Sequence, residues 1–161
     1  MEIKEVEHFT HLLMPRLFKY AYALVPDGKK SRELIADAYS VFLVRELDFI
    51  KGTALPEQRK AQATLKRFFL MGILQEIYTL ALKKSFDIRK VLMDTSAEYK
   101  SFYELTTTQR SVVILKEKLR FTPEQISEVM GLKKYQVIEC LYNSRELLAQ
   151  NDVDWEEHGT H

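Results

Sequence analysis

At 161 residues, with 46% hydrophobic and 29% charged side chains, the chain has the balance of a folded globular protein, which excludes a disordered or low-complexity one. Its apolar runs fall short of the roughly 20 residues needed to cross a bilayer, and the mixed-charge start MEIKEVEHF lacks the basic-then-apolar order of a leader, so a cytoplasmic protein is expected. A net charge of +1 excludes a uniformly basic nucleic-acid binder, so charge has to be read segment by segment.

Five glycines and four prolines leave few turns, and long segments carry apolar residues at helical spacing, which predicts an all-α fold. The first helix is expected over Val6–Leu24, with Phe9, Leu12, Leu13, Leu17, Phe18 and Ala21 on one stripe and Pro26 to Gly28 as its stop. A second, about Ser31–Leu47, turns Leu34, Ile35, Ala38, Tyr39, Phe42 and Leu43 inward, and Lys51 to Gln58 reads as a loop. The third helix, about Gln58–Lys84, holds the apolar LKRFFLMGILQEIYTLALKK, with Phe68, Phe69, Ile73, Ile77, Leu80 and Ala81 recurring at three and four.

Residues 86–100 lack sustained periodicity and read as a linker between a first domain, 1–85, and a second, 101–149, each free to move. In the second domain Thr106–Leu119 reads as a helix with Val112, Val113, Leu115 and Leu119 inward. Phe121–Leu148 follows as a helix pair: Thr122 is placed to cap the first-turn amides, Pro123 sits where no donor is missed, and Gly131 supplies the positive φ of the turn. Residues 150–161 form an acidic tail that is either solvated or folded over a basic surface. Residues 1–85 carry 14 basic and 10 acidic side chains, a net +4 that the four acids of the tail hide in the total.

The chemistry of catalysis finds no purchase. There is no Ser/His/Asp order, no catalytic carboxylate pair and no Gly-rich phosphate loop, so neither an enzyme nor a small-molecule substrate is expected. The single Cys140 cannot form an internal disulfide and reads as a small, half-buried filler. His8, His11, His158 and His161 are too scattered for metal-ligand spacing, so no metal and no other cofactor is expected.

The order Leu105, Gln109-Arg110, VVIL, then FTPEQISEVMGLKKYQVIECLYNSREL resembles the last domain of bacterial sigma factors of the small extracytoplasmic-function (ECF) type. Independently, PRLFKYAYALVPDGKKSRELIADAYSVFLVRE and LKRFFLMGILQEIYTLALKK are similar to the core helices of that family's other domain. The resemblance runs from about Phe9 to Leu148. It implies a protein without chemistry of its own that binds core RNA polymerase and promoter DNA, with an anti-sigma factor as a further partner. By position it implies polymerase docking by Glu33, Leu34, Ile35 and Asp37, a strand-separating face at Gln75, Glu76 and Leu80, and groove reading from Lys133 to Asn143.

Residue chemistry refines these expectations. The family usually holds a flipped base with an Arg-Asn pair and an Asp, where this chain has Gln75, Glu76 and Leu80; a carboxylate is repelled by phosphate and a Leu cannot bond a base edge. Lys66, Arg67, Lys83 and Lys84 flank that helix as candidate phosphate contacts. In the last helix Val137, Leu141, Ser144 and Leu148 are expected to face inward. Lys133 and Lys134 then suit phosphates, and Gln136, Glu139 and Asn143 suit base edges. Two functions stay open: a sigma-type initiation factor, or a sigma-like regulator that binds an anti-sigma factor and has lost promoter melting.

Overall fold

A computed structural model of the protein describes residues 3–52, 59–84, 86–94 and 97–159, and the side chains of 4–47, 64–84, 86–93 and 99–150. The described residues form helices α1 (Ile3–Leu24), α2 (Gly28–Gly52), α3 (Arg59–Lys83), α4 (Arg89–Asp94), α5 (Ala97–Glu104), α6 (Thr107–Glu117), α7 (Pro123–Met130) and α8 (Lys134–Gly159), with no strand among them. The expected all-α fold is what is observed.

In α1 the buried residues Val6, Phe9, Leu13, Leu17, Tyr20, Ala21 and Leu24 recur at three and four, the spacing that keeps one helix face inward. Leu12, expected on this stripe, is instead exposed, because Phe9, Leu13 and Leu17 at intervals of four define the buried line and leave it about 100° to the side. Asp27 turns the chain into α2 by accepting from the amide of Lys30 at 2.9 Å, so α2 starts three residues earlier than its apolar pattern predicts. Ser31, fully buried, donates to the carbonyl of Val25 at 2.7 Å and ties the start of α2 to the end of α1.

Helix α3 is the axis of the molecule. Its residues Phe69 to Leu74 are buried consecutively, which happens only when a helix is covered on every side; α1, α2, α6 and α7 all pack on it. Aromatic rings fill the junction of the first three helices: Phe42 meets Phe69 edge-on at 5.4 Å between centroids, and Phe9 stacks on Phe69 at 5.9 Å. Gly72 makes room for this, since a methyl group there would overlap the Phe42 ring.

Helices α6, α7 and α8 pack on one another around Val112, Leu115, Leu119, Ile126, Val129, Val137 and Leu141. Two capping boxes of identical design start α6 and α7. Thr106 and Gln109 exchange bonds at the first, and Thr122 and Gln125 at the second. Between the halves, the stretch expected as a linker holds α4 and the start of α5, too short for a periodic pattern to be legible, and α5 packs against α8. Buried residues of both halves belong to one continuous core, with α1 on α6 and α3 on α7, so the two expected modules are seen docked. Helix α8 runs past the expected end at Leu148 to Gly159; the tail's side chains beyond residue 150 lie outside the described residues.

Candidate nucleic-acid interface

The turn between α7 and α8 is built as its sequence dictates. Gly131 takes φ 67°, ψ 24° and its amide donates to the Ser127 carbonyl at 2.9 Å, which ends α7 with a left-handed cap that an L-residue resists. Ser127 donates to the carbonyl of Leu132 across the turn. Gln136 accepts from the amide of Lys133 at 2.9 Å, so its side-chain oxygen is engaged in starting α8.

On α8, Val137, Leu141 and Ser144 are buried as expected, and Leu148 half-buried. Lys133, Lys134, Gln136, Glu139 and Asn143 are all exposed on the outer side. Lys134 pairs with Glu124 of α7 at 2.6 Å, a bond that holds the Glu124 carboxyl below its ordinary range. Arg145 likewise pairs with Glu117 of α6 at 2.5 Å and lowers that carboxyl. Cys140 is half-buried and burial pushes its thiol up, opposed by a bond with Ser144 and reinforced by Glu139, so it stays a protonated filler at neutral pH. Tyr135, Ile138 and Tyr142 form an exposed apolar row, at 62%, 49% and 63% exposure. Sequence reasoning passed over these three, although their spacing of three and four opposite Val137 and Leu141 is the signal that places them outward.

The first half arranges its candidates differently. Leu34 and Ile35 are in the core, bound there by the same face as Ala38 and Phe42, so of the expected docking residues Glu33 and Asp37 are the ones at the surface. Asp37 pairs with Lys84 at 2.7 Å, which brings a residue expected to meet polymerase together with one expected to meet phosphate. Lys66, Arg67 and Lys83 are exposed. Gln75, Glu76 and Leu80, read as a strand-separating face, are engaged within the protein. Glu76 is 8% exposed and takes a bond from Arg45 of α2; Gln75 donates to the carbonyl of Glu128 in α7 at 3.0 Å; Leu80 is half-buried against the core.

No protein-family model matches the sequence, and no curated protein matches it. Among solved structures the chain is similar to that of the sigma factor RpoE in complex with the anti-sigma factor NepR from Bartonella quintana, with a TM-score of 0.59 at 16% identity, covering 92% of this chain and 97% of that one. The fold is that of a sigma factor. Among the described residues no helix is long and apolar enough to cross a membrane.

Proposed function

We propose that the chain acts in the cytoplasm as a sigma-type transcription initiation protein of the ECF kind, in which residues 1–85 dock on core RNA polymerase and residues 101–149 read promoter DNA. The observation that carries this reading is the sigma fold over 92% of the chain, together with a helix-turn-helix at Gly131 whose second helix presents exposed polar side chains. Glu33 and Asp37 supply acids on the outer flank of α2, beside exposed Val41 and Val44, a mixed apolar and acidic strip suited to a basic helical partner. Lys133 and Lys134 suit phosphates, while Gln136, Glu139 and Asn143 suit base edges, and Lys66, Arg67, Lys83 and Lys84 suit the backbone of a second stretch of DNA.

A specific observation favours a second reading, a sigma-like regulator that binds an anti-sigma factor without melting promoters. The Glu76–Arg45 and Gln75–Glu128 bonds occupy the very face that would hold a flipped base, and Tyr135, Ile138 and Tyr142 give α8 an apolar row suited to a protein. In-vitro transcription with purified core polymerase and a random promoter library separates the two. Enriched transcript starts with a shared upstream motif support the factor; retention on core polymerase or on an anti-sigma factor with no enriched motif supports the regulator.

A further inference from the structure

A cleft of about 260 Å³ opens where the end of α1, the start of α2 and the chain just past α3 come together, lined by Val25, Lys30, Glu33, Leu34, Lys84 and Phe86. Its apolar lining is part of the core: Val25 and Leu34 are 6% and 2% exposed, and Phe86 packs against the same cluster. The rest of the lining is charged. Lys30 and Glu33 stand three residues apart at the start of α2, and Lys84 follows the last residue of α3.

Opposite charges at that spacing on a helix are neighbours and ordinarily attract one another. Here they stay apart. The Lys30 ammonium lies 5.0 Å from the centroid of the Phe86 ring, and among the described residues neither Lys30 nor Glu33 takes part in an ion pair. An aromatic face attracts a cation without neutralising it, so Lys30 keeps its charge and its N–H donors for a further partner. Lys84 is bonded to Asp37 at 2.7 Å, which engages one of the three donors of its ammonium and leaves two.

The cleft thus joins two ammonium groups and one unpaired carboxylate to an apolar surface. A purely anionic ligand meets Glu33, and a purely cationic one meets both lysines; a ligand with both charges beside an apolar group complements all three. The volume falls just short of the roughly 300 Å³ at which pockets for drug-sized molecules begin, which suits a smaller ligand.

We propose that this cleft binds a free α-amino acid with an apolar side chain, such as leucine or phenylalanine. The carboxylate lies between Lys30 and Lys84, the ammonium meets Glu33, and the side chain rests on Val25, Leu34 and Phe86. Glu33 and Asp37 are also the acids given above to polymerase docking, so an amino acid in the cleft competes with that docking. This consequence rests on the sigma-type reading, while the site stands on the cleft alone.

The test titrates the full chain, with neither polymerase nor DNA present, and follows amide NMR shifts. L-Phenylalanine and L-leucine should give saturable shifts at residues of the cleft, in about the millimolar range expected of ligands this small. 3-Phenylpropionate, which lacks the ammonium, and 2-phenylethylamine, which lacks the carboxylate, should each bind about tenfold more weakly or worse, because each leaves a charge of the cleft unanswered. Lys30→Met should weaken phenylalanine about tenfold, and Glu33→Gln should close the gap between phenylalanine and 3-phenylpropionate, a change that a merely structural role for Glu33 does not produce. Shifts that grow without saturating, shifts centred away from the cleft, equal binding of phenylalanine and 3-phenylpropionate to the wild type, or unchanged affinities in either variant overturn the proposal. Retention on core polymerase is measured separately with and without phenylalanine; saturable binding in the cleft of a chain that does not hold polymerase supports the site and counts against the sigma-type reading alone.

Discussion

The junction of α1, α2 and α3 and the seam between the two halves are both buried, yet they are assembled from different chemistry. The first is a stack of rings, Phe9, Phe42 and Phe69, closed down upon Gly72. The second continues the apolar core across Val112, Leu115, Ile126 and Val129 and adds hydroxyls, an amide and a guanidinium that each find a partner across the gap. Rings brought out of the first junction gain nothing from water; groups brought out of the second recover full hydration.

The largest expected effect therefore lies in the ring junction. Phe69→Ala should cost about 3–5 kcal/mol by leaving a cavity at the centre of three helices, seen as one cooperative loss of helix signal in urea. Next comes Gly72→Ala, where the added methyl must displace the Phe42 ring, with an expected loss of about 1–3 kcal/mol. If it proves neutral, the junction is looser than its geometry implies.

On the seam the effects are smaller and depend on pH. Tyr20→Phe removes one buried bond and leaves Ser111 without it, for about 1 kcal/mol near neutrality. Tyr20 has a raised folded-state pKa, so its contribution is intact below the unfolded value of 10.0 and is lost as pH rises beyond it, because only the unfolded chain can release the proton. Wild type should accordingly lose more stability than Tyr20→Phe as denaturation is followed above pH 10. Arg110, pushed downward, acts in the opposite sense but is present in both proteins and drops out of their difference. Equal slopes would mean that Tyr20 is not sealed in the seam.

The smallest effect is a gain. Arg120 closes α6 at φ 62°, a conformation that costs an L-residue, while the amide of Phe121 bonds back to the Leu115 carbonyl at 3.0 Å. Arg120→Gly should raise stability by about 0.5–1 kcal/mol in thermal melts without touching either the junction or the seam.

What the sequence determined by itself is local and periodic. The capping box at Thr122 and Gln125, the turn at Gly131 and the inward set Val137, Leu141 and Ser144 were all legible, because each depends on bonds within a few residues or on the 3.6-residue repeat. The general order of long helices followed for the same reason. Periodicity could not distinguish a helix with one buried face from α3, whose Phe69–Leu74 stretch is buried all round, nor foresee that Leu12 would fall outside the stripe, although it did place Leu34 and Ile35 inward. Only the tertiary structure decided that Gln75 and Glu76 are spent on Glu128 and Arg45, that Asp37 meets Lys84, and that Arg110 reaches the end of α1 from 86 residues away. Those contacts join residues far apart in the chain, and a side chain's partner at that range is fixed by how helices dock, which no spacing within one helix encodes.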